Sequence, residues 1–139
     1  MALGEKLFEE IGTVMGVGVR SVHPVEGITM EVSFTAETKG IGRFPSGTNV
    51  GSGTTTQYPH GIRDGKYRGI ITTTQGEQYS WWSHEKSRLT LGGKTKGIII
   101  VTGFTASQTL SWMNNLVMVL ESEFDPLTQG YKSTAYEWI

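Results

Sequence analysis

The sequence predicts an all-β protein: a single-domain, antiparallel, eight-stranded closed β-barrel. Three observations carry that prediction. Runs in which apolar and polar residues alternate follow one another from Ile11 to the end of the chain, short glycine-bearing turns separate them, and only Thr105 to Met113 breaks the rhythm. A single layer of strands buries its apolar faces only by closing into a barrel or folding into a sandwich. With eight strands, a closed barrel is either filled by its own side chains or holds one small ligand. The 19 glycines in 139 residues, about twice the usual ~7%, read as punctuation between strands. Threonine triplets at 54–56 and 72–74 favour twisted sheet.

The first ten residues stand apart. Leu3, Leu7, Phe8 and Ile11 fall near one helical face beside Glu5, Lys6, Glu9 and Glu10, so residues 1–10 read as an arm or short helix and residues 11–139 as the barrel domain. The first strand pair is Thr13–Val22 and Ile28–Thr38, joined through His23-Pro24-Val25-Glu26-Gly27. In the second of these, Ile28, Met30, Val32, Phe34 and Ala36 alternate with polar residues, as a half-buried strand requires. A loop over 39–46 leads to a third strand at Asn49–Tyr58. The turn Pro59 to Gly65 ends in Asp-Gly, a hairpin cue, and precedes a fourth strand at Lys66–Thr74.

The fifth strand, Gln78–Leu91, follows the turn Gln75-Gly76-Glu77. Its more apolar face carries Tyr79, Trp81, Ser83, Glu85, Ser87, Leu89 and Leu91, so an inward orientation places Glu85 in or near the core. The sixth, 95–104, has a continuous apolar centre at Ile98–Val101, a pattern of strands covered on both faces. Thr105–Met113 then makes one or two helical turns from a Thr or Ser cap, setting Leu110 and Met113 against the sheet. The last hairpin pairs Leu116–Asp125 with Tyr131–Trp138.

Composition excludes several classes of function. Twelve basic against 13 acidic residues give a formal charge of −1, without the basic footprint that nucleic acid or an anionic membrane demands. The chain has no cysteine, so thiol catalysis, thiolate metal sites and disulfides are out, and a reducing, cytoplasmic setting is the expectation. Its longest apolar runs are too short to span a bilayer as a helix, so no membrane insertion is expected. His23, His60 and His84 share no metal-ligand spacing, and the first two adjoin prolines in turns. Neither a Gly-x-Ser-x-Gly elbow nor a nucleotide-binding glycine loop occurs. No metal, cofactor or catalytic residue is assigned.

The aromatic residues carry more information. Tyr58, Tyr79 and Trp81, with Glu85, are candidates to line a ligand-binding lumen, because Tyr and Trp present an apolar body with a polar atom that orients a ligand. Ordinary core packing explains such aromatics as well. Trp81 and Trp82 diverge in a regular strand, which makes Trp82 an outer-surface, subunit-interface candidate. Glu121 and Glu123 share a face with Val117 and Val119; turned into the lumen, Glu121 would join the ligand-lining candidates. The opposite face, with Leu116, Met118, Leu120 and Phe124, is the better core candidate.

A set of short signals then recurs in order: Gly53-Thr54, Asp64-Gly65-Lys66-Tyr67-Arg68-Gly69, Gln75-Gly76-Glu77 followed by Trp81, Thr105-Ala106-Ser107 with Leu110 and Asn114-Asn115, Glu121-Ser122-Glu123-Phe124-Asp125, and Tyr136-Glu137-Trp138. Over residues 11–139 this order resembles small uncharacterised proteins with the allene oxide cyclase-like type of barrel. The resemblance implies an apolar lumen and assembly as a homo-oligomer, a dimer or trimer. It also implies a cofactor-free mode of action, in which some relatives steer a cyclisation by holding a reactive apolar substrate in one conformation. The expectation is therefore a barrel that binds a small, largely apolar molecule, with cyclase or isomerase activity on an unknown substrate. The alternative is a noncatalytic oligomeric or accessory subunit whose barrel is filled by side chains.

Overall fold

A computed structural model describes residues 3–139. Eight antiparallel strands, each paired with its neighbour in sequence, close into a barrel when the last meets the first. They are β1 (Leu3–His23), β2 (Gly27–Gly40), β3 (Gly47–Gln57), β4 (Ile62–Thr73), β5 (Gln78–Leu89), β6 (Thr95–Phe104), β7 (Met118–Phe124) and β8 (Gly130–Trp138). Among the described residues no helix is long and apolar enough to cross a membrane.

The expected arm or short helix over residues 1–10 is strand from Leu3 onward, Met1 and Ala2 lying outside the described residues. β1 pairs with β2 and with β8, and register shifts between Leu3 and Lys6 and between Lys6 and Phe8 disturb the second ladder. The successive residues Leu7 and Phe8 are both buried there. This irregularity gives the segment its helix-like apolar spacing. From Phe8 to Val14 the alternation is regular, so Glu9 faces solvent and Glu10 faces the lumen; further register shifts follow between Val14 and Gly16 and between Val19 and Ser21. Past Thr13, the last residue of its ladder with β8, β1 continues alongside β2 to His23.

Glycine does more than punctuate. Turn glycines with positive φ stand at 27, 42, 61, 76 and 93, but others sit inside strands, directly opposite a large inward-facing ring. Phe34 is opposite Gly51, Tyr67 opposite Gly53, Trp81 opposite Gly69 and Tyr131 opposite Gly12. A Cβ at Gly12, Gly51 or Gly69 would stand 2.5 Å from the facing ring, so each ring occupies space that only glycine leaves free. Asp64-Gly65 likewise lies within β4, not in a turn. Its hairpin turns one step earlier, where Gly61 adopts a φ of 98° and its N–H donates to the Tyr58 carbonyl.

One end of the barrel is sealed. Phe44, from the β2–β3 loop, packs on Phe8 with ring centroids 4.8 Å apart and meets Trp112 edge-on. A 3₁₀ helix, Ser111–Asn115, sets buried Met113 beside Leu110 and Leu116 in the same plug. Leu110 rather than a Thr or Ser stands at its start, and no side chain caps it. The preceding segment is held by Asn114, whose side chain accepts from the Thr105 N–H and donates to the Thr105 carbonyl. Ser107 and Thr109 donate to Glu77 on the adjoining turn.

Candidate functional site

The barrel holds a cavity of about 290 Å³ that is partly open to solvent. Apolar side chains supply much of its wall: Phe34 from β2, Ile71 from β4, Ile99 and Val101 from β6, and Met118 and Leu120 from β7. Two carboxyl groups interrupt it, Glu10 from β1 and Glu85 from β5, and among the described residues Arg63 of β4 is the only cationic side chain in the lining.

Glu10 is 4% exposed and fully engaged. The Tyr131 hydroxyl donates to Oε1 at 3.0 Å, the Thr38 hydroxyl to Oε2 at 3.0 Å, and the Asn49 amide reaches both oxygens at 3.2 and 3.3 Å. Asn49 is itself oriented by Trp81, whose indole N–H donates to its Oδ1 at 2.7 Å. The register explains the convergence, since Glu10 stands opposite Thr38 on one side and Ser133 on the other, and Asn49 stands opposite Ala36. Burial pushes the Glu10 carboxyl above its ordinary range, against the pull of donors from Tyr131, Thr38 and Asn49.

Glu85 is held more loosely. Its one hydrogen bond is long, from the Tyr67 hydroxyl at 3.4 Å, and that hydroxyl also bonds Thr55. Burial raises this carboxyl too, opposed by the Tyr67 hydrogen bond and the Arg63 charge. Arg63 Nη2 donates to Gln57 at 3.0 Å, which keeps the guanidinium beside the lumen wall. The phenols rise in turn. Burial and then the charge of Glu85 lift Tyr67, while burial and then the Glu10 charge lift Tyr131. Tyr79, pushed up to about 12 by burial alone, has a buried hydroxyl without a hydrogen-bond partner, as has Thr95. The Tyr79 hydroxyl sits in the niche left by Gly103, 2.8 Å from where a Cβ would stand.

Of the lumen residues expected from the sequence, Tyr79, Trp81 and Glu85 line the cavity together. Tyr58 and Glu121 do not. Tyr58 ends beyond β3, stacked on His60 in the turn at the barrel rim, because the strand stops at Gln57. Glu121 is exposed on the outer face opposite Ile98, since the inward parity of β7 belongs to Met118, Leu120, Ser122 and Phe124. Trp82 is half-exposed on the outer wall. Sequence reasoning missed Glu10, Asn49, Tyr67 and Tyr131. A usable signal existed: Glu10 has Thr38 and Asn49 at inward positions of the next two strands.

His84 points outward, and His23 and His60 accept backbone N–H groups within their own turns. Among the described residues no three metal-ligating side chains converge.

No protein-family model and no curated protein matches the chain. Solved structures do. The chain is similar to a protein with unknown function from Clostridium acetobutylicum ATCC 824, with a TM-score of 0.85, 16% identity and coverage of 99% of this chain and 97% of that one. A β-barrel like protein from Acinetobacter baumannii AYE gives a TM-score of 0.82 at 14% identity, over 98% of this chain and 94% of the other. An enzyme from Penicillium herquei gives 0.62 at 15% identity, over 99% and 97%. At these identities the likeness is one of fold: the chain is an eight-stranded closed barrel of the kind found in proteins of unknown function.

Proposed function

We propose that the barrel binds a small, largely apolar molecule in its lumen and acts on it without a cofactor, as an isomerase or cyclase of the allene oxide cyclase-like type. The observation that carries this reading is an apolar-walled cavity of about 290 Å³ holding a buried carboxyl group, Glu10, and a half-buried one, Glu85, in different environments. Enclosure orients a flexible substrate and keeps water away from it. Glu85, whose Oε2 receives no hydrogen bond among the described residues, is the proton acceptor; desolvation raises its basicity. Once protonated, the same carboxyl returns the proton elsewhere on the same molecule, while Glu10, fixed by three donating side chains, holds the wall beside it. Removal and return of one proton by one group conserves atoms and charge and regenerates the carboxylate, as an isomerisation requires.

Native mass spectrometry of protein purified from its own source tests this reading. The expected result is a mass above that of the polypeptide, released on denaturation and absent from Ser122→Trp, whose new ring fills the lumen. A bare polypeptide mass in both proteins, with no uptake of added apolar compounds, overturns it.

The outer wall supports a second element of the proposal, self-association as a dimer or trimer. Val50, Ile70, Trp82 and Phe104 form an exposed apolar stripe across β3 to β6, with Val50 directly opposite Ile70 and Trp82 against Phe104; Ile98 and Ile100 lie further along β6, beside Lys86, Glu121 and His84. The apolar centre of β6 is thus covered on its inner face only: Ile98 and Ile100 are 55% and 50% exposed. Contiguous apolar surface of this kind marks an interaction site, and a second copy of the chain covers it symmetrically. The cysteine-free sequence favours a reducing, cytoplasmic setting for such an assembly.

A further inference from the structure

We infer that the lumen selects a ligand bearing a hydrogen-bond-donating group, a hydroxyl or an ammonium, and rejects a carboxylate. This inference rests on the lumen-binding reading above and narrows it to a class of molecule. It follows from the charges and the hydrogen bonds that the wall leaves unfilled.

Two acids and one arginine face the cavity, so the lining carries an excess of negative charge when both acids are ionised. Arg63 offsets one of these charges and leaves the other: its Nη2 donates to Gln57, and among the described residues it forms no ion pair with Glu10 or Glu85. Beside the low-dielectric wall, like charges interact more strongly than in bulk solvent, and a guest carboxylate would meet two of them.

The hydrogen-bond inventory points the same way. Three donors saturate Glu10, whereas Glu85 receives one long bond at Oε1 and none at Oε2 among the described residues. Its free lone pairs accept; they offer nothing to another acceptor. Beside these groups, the Phe34 centroid lies 5.8 Å from those of Tyr67 and Tyr131 and 6.0 Å from that of Trp81. Aromatic faces carry negative potential, which suits a cation or the polarised hydrogen of a hydroxyl and disfavours an anion. A flat apolar skeleton packs against these rings, its donor set on Glu85.

Isothermal titration calorimetry at pH 7.5 with three naphthalene derivatives tests the inference: 2-naphthol, 1-naphthylmethylamine and 2-naphthoate, which share a ring system and differ in the polar group. The alcohol and the amine are expected to bind wild-type protein at least about tenfold more tightly than the carboxylate, a difference of about 1.4 kcal/mol. Glu85→Gln removes most of that preference, and Glu85→Asp keeps it; circular dichroism confirms that both variants are folded. Naphthoate binding as tightly as the alcohol in wild-type protein, or a preference unchanged in Glu85→Gln, overturns the inference and leaves the lumen-binding reading intact. Failure of all three compounds to bind overturns both.

Discussion

Trp81 stands directly across the sheet from Gly69, and a Cβ on that glycine would lie 2.5 Å from the indole ring. The missing side chain on β4 is therefore what lets the indole settle into the wall. There its N–H reaches Asn49, which in turn holds Glu10. Packing on one strand thus sets the geometry of a carboxyl on another.

Gly69→Val tests that link. The new side chain collides with the ring and with the Val50 carbonyl, 2.4 Å from the Cβ position, so backbone as well as side chain must move. Overpacking of this kind costs about 1–3 kcal/mol. Urea denaturation is expected to show a loss in that range, accompanied by a shift in tryptophan emission as the indole is displaced.

Asn49→Ala leaves the Trp81 N–H without its acceptor and removes one donor from Glu10. A buried polar group deprived of its partner costs about 1–3 kcal/mol. Because the lost donor favoured the ionised acid, the Glu10 carboxyl is expected to titrate still higher in this variant, as carbon-detected NMR of its side chain would show.

Glu85 sets a pH dependence whose sign follows from its raised carboxyl. The folded state favours the protonated form. The stability that this group contributes is therefore fully present below the unfolded value near 4.5 and is lost as pH rises through the folded value. Glu85→Gln stays neutral throughout. Its melting temperature relative to wild type is expected to climb between pH 4.5 and pH 8, whereas a constant difference across that range would place Glu85 in solvent.

Trp82 tests the outer wall. With half its surface exposed and Phe104 beside it, it sits within the apolar stripe proposed as a subunit contact. Light scattering after size exclusion is expected to give a dimer or trimer for wild type and a monomer for Trp82→Lys, with lumen binding retained.

The barrel was legible in the sequence because period-two alternation survives wherever one face is wet and the other dry, as along Ile28–Ala36 of β2. It failed at Leu3–Glu10, where a disturbed ladder buries the adjacent residues Leu7 and Phe8 and mimics a helical face. That misreading hid Glu10 among solvated acids. The parity of β5 located Trp81 and Glu85, since each faces the same way as Tyr79. Tyr131 was beyond reach, because its meaning depends on which strands close the ring. Tyr131 reaches Glu10 through the β1–β8 pairing, across 121 residues of sequence.

If the space inside the barrel is a binding site, a crystal of the protein grown with 2-naphthol holds ordered ligand there, its ring against the Phe34 and Trp81 side chains and its hydroxyl on Glu85. Ligand confined to the outer stripe around Trp82, with the lumen filled by the barrel's own side chains, would contradict it.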